Sequence, residues 1–498
     1  MPGIPLASAR PPFLLTIDVG TSSMRALVYD SACKLIDSNH FSSRTQVSLQ
    51  TDLSGAAWFD PELLFASLTS VIDACVNNLG SKAKEVVGVA FDTFASSLVG
   101  LDEKFTPLTP VFTYADTRCS PQARALRMLH KDGASHQRTG CMIHSSYHPA
   151  LLSWRKETNL EGFKKVRHWW SFGSLITQRL LGNPAVSLSL ASWTGLLHRQ
   201  LLEWDREWLS ELGIYDEQLA PLADFSPALR TLQPMWEERW PALANAGWFL
   251  PISDGAAANI GSGCFHDSAV ALTIGTTAAM RMVPAVIPHA VPLGLWNYRV
   301  DGKRPLLGGA LTEGGNVHEW LNRILQLPPR EECEKHLLSA GPGQHGLSFL
   351  PFLSGERAPG WRDDATAAVA GLRLGTSSLD LLQAGLEAVA FRLALIYKRL
   401  EPLVRPGRQI LASGGFLQSP AWVKIIANVL GKEITPCLEP EATSRGLAWL
   451  ALEALGLLDP SNPPPVETGP GVTPDMESHK QYQEALAAQE GLYRKLLG

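Results

Sequence analysis

The stretch Leu14-Leu15-Thr16-Ile17-Asp18-Val19-Gly20-Thr21-Ser22-Ser23-Met24-Arg25-Ala26-Leu27-Val28-Tyr29-Asp30 decides how this chain is read. Two apolar runs with β-branched members flank a short polar turn, which predicts a β-hairpin. Gly20 lets backbone N–H groups approach an anion, and Thr21, Ser22 and Ser23 supply hydroxyl donors around it. Successive N–H groups in such a turn form an anion-binding concavity. Asp18 is out of place there, because a carboxylate beside a phosphate repels it unless a cation lies between. A Mg²⁺-nucleotide accounts for the whole set, with Asp18 holding the metal through water. Hairpins also use Gly, Thr and Ser for turn chemistry alone, so a second observation is needed.

A second copy supplies it. Ala271-Leu272-Thr273-Ile274-Gly275-Thr276-Thr277-Ala278-Ala279-Met280-Arg281 aligns without a gap on the stretch from Thr16. Gly275-Thr276 then falls on Gly20-Thr21, and Thr277 on Ser22. An internal repeat fixes architecture, and this separation is too long for a solenoid. It predicts two related domains, each with a Gly-Thr phosphate hairpin. Thr273 stands where Asp18 stands, so the second copy lacks the acid and the halves divide the labour.

These two hairpins, with Ala412-Ser413-Gly414-Gly415-Phe416 downstream, resemble the FGGY carbohydrate kinases of the actin/hexokinase-like superfamily. The gluconate kinase and xylulokinase branches are the nearest in pattern, over about Phe13 to Leu455. The resemblance implies an α/β fold of two actin/hexokinase-like (ribonuclease H-like) domains around a central cleft. It implies an N-terminal domain over 12–250 with the sugar site and first hairpin. A C-terminal domain over 251–460 would hold the nucleotide site and catalytic Asp, followed by a linker and terminal helix over 461–498.

Composition agrees with a globular enzyme. At 498 residues the chain exceeds one core, so two or three domains are expected. A net charge of −5 offers nothing to nucleic acid or an anionic membrane. The cysteines at 33, 75, 119, 141, 264, 333 and 437 contain no C-x-x-C pair. That argues against zinc and disulfides and suits a reducing cytoplasm. No apolar signal segment precedes Pro12, and Leu379–Leu400, the most apolar helical candidate, is interrupted by charge.

Along the chain, Asp60-Pro61-Glu62 opens a helix, with Leu64, Leu68, Val71 and Cys75 on one face. Val86–Phe91 reads as a buried strand ending in Asp92-Thr93-Phe94-Ala95-Ser96-Ser97, a polar strand end of the kind where open α/β sheets bind ligands. Pro110–Tyr114 is a short strand leading to Asp116 and Arg118, which either serve the sugar or cap a helix near Pro121. By the resemblance, these strand ends bind sugar, although the family's usual aromatic or Met followed by His is here Ala95-Ser96. Thr139-Gly140 followed by Ile143-His144 is similar to the gluconate kinase stretch, which makes His144 and nearby Tyr147 candidate sugar contacts with Ser96 and Asp116.

Nine of the fifteen tryptophans lie between Trp154 and Trp248; most are expected in the core, with one or two against the sugar. Asp254, before small residues, looks like the family's catalytic Asp; as an isolated feature it also reads as a helix N-cap. Gly315, Gly414, Gly415 and Ser419 are expected beside Gly275, Thr276 and Thr277 at the nucleotide. Val317, Trp320, Leu321 and Ile324 are expected on one face of a helix, and the apolar ladder after Ser378 as core.

Three functions fit this fold: a sugar kinase, a chaperone-like or actin-like ATPase, and a catalytically silent sugar sensor. No G-x-x-x-x-G-K-[ST], H-R-D or D-F-G occurs, which excludes P-loop and protein kinases. Asp18 and Asp254 favour the kinase, using ATP and Mg²⁺ on a sugar or sugar acid, gluconate-like before xylulose-like. A homodimer is compatible with the resemblance, and no nucleic-acid or membrane partner is expected.

Overall fold

Buried β-branched runs build the two central sheets. The computed structural model describes residues 3–131, 133–267 and 269–497. The described chain forms two units. One runs to Phe265 and adds Asn297–Leu306 and Pro440–Pro465; the other comprises His266–Trp296, Leu307–Glu439 and the chain from Val466 onward.

In the first unit, β1 (Phe13–Val19) and β2 (Ser23–Tyr29) are the expected hairpin, with Asp18 opposite Arg25 and Val19 opposite Met24. β3 (Ser43–Gln46) extends it antiparallel, and β4 (Val86–Thr93) lies parallel on the other side of β1. β5 (Gly247–Trp248) and β6 (Ile252–Ser253) both pair parallel with β4. The helix Pro61–Leu79 starts on an Asp60 cap that accepts from Glu62 and Leu63 N–H. This segment, continued to Glu85, is long and apolar enough to cross a membrane by length and composition. Its Leu64, Leu68, Val71, Ile72 and Cys75 are buried in the first unit's core, as a core helix requires.

The second unit repeats the plan. β7 (Ala269–Ile274) and β8 (Ala278–Met282) are the second hairpin, with β9 (Pro305–Leu311) antiparallel beyond β8. β10 (Gln409–Ser413) lies parallel to β7, and β11 (Ile434–Pro436) parallel to β10. The gapless alignment holds in three dimensions: it places Ser23 on Ala278, and these residues open β2 and β8. It also makes Asp18 opposite Asp92 the counterpart of Thr273 opposite Ser413.

The expected division at 250/251 needs correction. Pro251–Phe265, with Asp254, belongs to the first unit, because β6 pairs with β4, Ile252 opposite Asp92. Helix Ala442–Ala454 also belongs there, packed on helix Asp254–Gly261. That crossing is close: a Cβ on Gly446 would lie 1.9 Å from the Ala257 carbonyl oxygen, and one on Gly261 1.6 Å from that of Ala442. On helix Gly315–Ile324, Ile324 lies at the exposed end of the apolar face. It is 51 % exposed, while Val317 and Leu321 are buried. The terminal helix Met476–Leu497 lies in the second unit, with Tyr482 and Leu486 buried.

Candidate active site

In the first unit the carboxylates gather at the ends of three strands. Asp18 ends β1, Asp92 lies opposite it on β4, and Asp254 follows β6. Arg25 stands across the hairpin from Asp18 and donates to it at 2.6 Å, and to Glu441 at 2.8 Å. Burial of Arg25 disfavours its charge, but Asp18 and Glu441 outweigh that and hold the guanidinium protonated. The cation that the carboxylate in this turn demanded is thus, in the first instance, Arg25. The sequence reading overlooked it, although hairpin register places residue 25 opposite residue 18.

Asp92 is fully buried; burial first, then the charges of Asp18 and Asp254, push its carboxyl well above the ordinary range. Asp18, Asp254 and Glu441 thus bring three further carboxylates to this end of the sheet, beside Asp92 and Arg25. Such a set fits a divalent cation. No group of three His, Cys, Asp or Glu able to cage a metal occurs among the described residues. Mg²⁺ keeps waters and needs only one or two carboxylates beside phosphate oxygens.

Asp254 is the first residue of its helix, and the cap is Ser253, whose hydroxyl accepts from Ala256 N–H at 3.3 Å. Asp254 is half-buried, with Oδ1 accepting from Gly255 N–H at 2.7 Å. Capping and the Asp254 carboxylate are therefore separate, contrary to the capping alternative.

The sugar candidates are joined through two residues that the sequence did not single out. Ser96, at φ +55°, donates its hydroxyl to the Trp193 carbonyl at 2.5 Å. The Trp193 ring stacks on Tyr298 at 4.0 Å between centroids, and the Tyr298 and Tyr147 hydroxyls are hydrogen-bonded. A serine in the left-handed region at a strand end is the kind of strained residue that clusters at ligand sites. His144 is buried; its Nδ1 accepts from Ser146 N–H at 3.1 Å, so the neutral ring carries its proton on Nε2.

His148, also unremarked in the sequence, lies beside the Ser96 and Ser97 backbone, and burial drops its imidazole to about 4. Asp116, the remaining candidate sugar contact, lies among hydrogen-bond partners of its own. It is fully buried, grips Arg118 through both oxygens at 3.0 and 2.6 Å, and accepts from Ala57 N–H at 3.3 Å. Asp116 does not cap the following helix, Ser120–Leu129, whose cap position is Cys119.

In the second unit a cavity of about 650 Å³ is lined by Gly275, Thr276, Gly315, Gly415 and Ser419, five of the expected nucleotide residues. That volume is in the range of small-molecule sites. Gly414 supports it from behind. At φ +109°, its Cβ position would lie 2.2 Å from the Ile274 carbonyl oxygen, which only glycine permits. Thr277 is outside the lining; its carbonyl closes the hairpin by accepting from Gly275 N–H at 2.9 Å. Ser419 caps helix Pro420–Leu430 through Trp422 N–H. His318, Glu319 and Asn322 complete one wall. With Gly315 they fall at i, i+3, i+4 and i+7, a helical face legible in the sequence. Leu382, Leu386, Phe416 and Trp422 form an apolar floor, suited to a nucleobase.

Comparison with known proteins follows this geometry. The N-terminal domain of the FGGY family of carbohydrate kinases matches residues 13–261, and its C-terminal domain residues 270–455. The chain is 25% identical over 460 residues to the gluconokinase of Bacillus subtilis (strain 168), covering 90% of this chain and 88% of that protein. Among solved structures, gluconate kinase from Lactobacillus acidophilus superposes with a TM-score of 0.87 at 26% identity, covering 97% of this chain and 98% of that one. The ligand-bound xylulose kinase from the same organism gives the same TM-score, identity and coverage. The two domain matches together span most of the chain, which belongs to the FGGY family of carbohydrate kinases and is an ATP-dependent sugar kinase.

Proposed function

We propose that this kinase phosphorylates a hydroxyl of an open-chain sugar or sugar acid, gluconate-like first and xylulose-like second, with Asp254 accepting the hydroxyl proton. The observation that carries the reading is the Asp254 carboxylate itself. It is half-buried at a helix start whose capping is done by Ser253, and it faces the same acid cluster as Asp18. A base must reach the proton it removes, and transfer needs the γ-phosphorus within about 3–3.5 Å of the attacking oxygen. Each hairpin is a phosphate site within its own unit: Gly20, Thr21, Ser22 and Ser23 in the first, and Gly275, Thr276 and Thr277 in the second. Adenine and ribose occupy the cavity over Trp422, between Glu319 and Ser419.

Asp18 would hold Mg²⁺ through water. The ion would supply charge neutralisation between the β- and γ-phosphates. Arg25 orients the Asp18 carboxylate, and Ser96, His144 and Tyr147 bind sugar hydroxyls. Phosphoryl transfer asks little covalent work of the protein, so positioning and charge dominate.

Ile143-His144 and the gluconokinase likeness favour gluconate; the equal likeness to a xylulose kinase keeps the ketose as the second reading. The test is kcat/KM for gluconate, xylulose, ribulose, glycerol and hexoses on wild type and His144→Ala. A site that hydrogen-bonds hydroxyls discriminates sharply. Gluconate should lead, and its lead should shrink in His144→Ala. Preference for glycerol or a ring-closed hexose, or ratios untouched by the substitution, would overturn the substrate reading.

A further inference from the structure

Glu313 stands on the turn between β9 and helix Gly315–Ile324, within Leu311-Thr312-Glu313-Gly314-Gly315. It is 1 % exposed, and neither carboxyl oxygen has a hydrogen-bond partner of normal geometry. The adjacent Thr312 hydroxyl spends its hydrogen on the Gly355 carbonyl at 2.9 Å. A buried carboxyl left without partners is costly, and more so when ionised.

The same turn clamps the second phosphate hairpin. Gly315 N–H donates to Gly275 O at 2.7 Å and Asn316 N–H to Thr276 O at 3.1 Å. The Asn316 side chain ties the turn to itself, accepting from Gly314 N–H at 2.8 Å and donating to Thr312 O at 3.0 Å. Gly314 presses on Thr277, where a Cβ would come within 2.6 Å of backbone carbon.

The charged groups about Glu313 are already committed. Arg392 is paired with Glu356, which also accepts from the Tyr493 hydroxyl at 2.7 Å and from Gly360 N–H at 3.2 Å. Arg357 donates to the Leu311 carbonyl at 2.6 Å. Burial above all pushes the Glu313 carboxyl up to about 7, against the pull of its own N–H, the nearby Thr312 hydroxyl and Arg392, with Glu356 adding to the rise.

We propose that Glu313 is a positioning residue for the second phosphate hairpin and works in its neutral form. Ionised, it sets a second carboxylate against the Arg392 guanidinium that Glu356 already holds, and loosens the turn that holds Gly275 and Thr276. The phosphates of a bound nucleotide add repulsion in the same direction. Nucleotide affinity therefore falls as pH rises through neutrality, while sugar affinity does not follow. This rests on the reading of the second hairpin as a phosphate site.

The experiment is titration of full-length wild type and Glu313→Gln with Mg-ADP from pH 6 to 9, by calorimetry and tryptophan fluorescence, since Trp422 lines the cavity. A single linked proton allows up to about a tenfold loss of affinity per pH unit above its pKa. Wild type should weaken about tenfold or more between pH 7 and 8.5, and Glu313→Gln should keep its low-pH affinity throughout. The nucleotide's own ionisation appears in both proteins and cancels in the comparison. Parallel profiles, or a flat wild-type profile, overturn the inference, the latter even if the variant does not fold. Failure of Mg-ADP to bind either protein at any pH would instead overturn the phosphate-site reading.

Discussion

Replacing Gly446 with alanine should cost this enzyme more activity than stability. Gly446 lies in helix Ala442–Ala454, where it meets the helix that begins at Asp254. A methyl there would sit 1.9 Å from the Ala257 carbonyl oxygen and 2.9 Å from Gly261 N. Contacts of a Cβ below 3.0 Å do not persist, so the helices must part by at least 3.0 − 1.9 = 1.1 Å. Overpacking of this kind costs about 1–3 kcal/mol, and alanine's better helix propensity returns up to about 1. The net loss is thus about 0–3 kcal/mol, a fall of a few degrees in melting temperature. A 1 Å misplacement of a reacting group can cost about 10²-fold in rate. Rate is therefore the larger effect. Steady-state kinetics on the best sugar should show kcat reduced about 100-fold, with KM for ATP changed little, because the nucleotide cavity lies in the other unit. Gly491→Ala, in the terminal helix with nothing within 4 Å of its Cβ position, is the control and should be neutral or slightly stabilising. A Gly446→Ala enzyme with wild-type kcat would refute the claim that this crossing positions Asp254.

Arg25→Gln should lower stability by about 1–3 kcal/mol, less than for a fully buried pair because its side chain is 29% exposed. It leaves Asp18 buried beside Asp92 without its counter-ion, and thermal melting that matches wild type would contradict this. His148 should make the fold acid-sensitive. Its imidazole titrates near 4 when folded against an ordinary 6.5, so between those values the unfolded chain binds more protons and stability rises with pH. The full swing is about 3 kcal/mol, lost as pH falls from about 6.5 to 4. His148→Gln should flatten that part of a melting-temperature profile, and an unchanged slope would count against the burial account.

The hairpins were legible because each is a short-range object: apolar strand, Gly-Thr, apolar strand. The gapless alignment of Thr16 on Ala271 even carries the cross-strand partners of the sheet. Arg25 is equally local, because hairpin register alone sets residue 25 opposite residue 18. Asp92 was quoted as part of a polar strand end, but its pairing with Asp18 depends on the register between β1 and β4, which local sequence does not express.

Asp254 was assigned to the wrong side of the domain boundary because β6 is two residues long and joins its sheet through a strand some 160 positions earlier. Trp193 and Tyr298 were invisible as a pair for the same reason; their contact spans more than 100 positions. By contrast His318, Glu319 and Asn322 could have been read from helical spacing, had the polar face of that helix been traced as well as the apolar one.

The measurement that tests the account most directly is sugar phosphorylation by Asp254→Asn at saturating Mg-ATP. The substitution keeps size and the Ser253 cap while removing the proton acceptor. The account predicts kcat lower by about 10²–10⁴, with Mg-ADP affinity and melting temperature close to wild type. An Asp254→Asn enzyme that turns over its best sugar at near wild-type rate would contradict it.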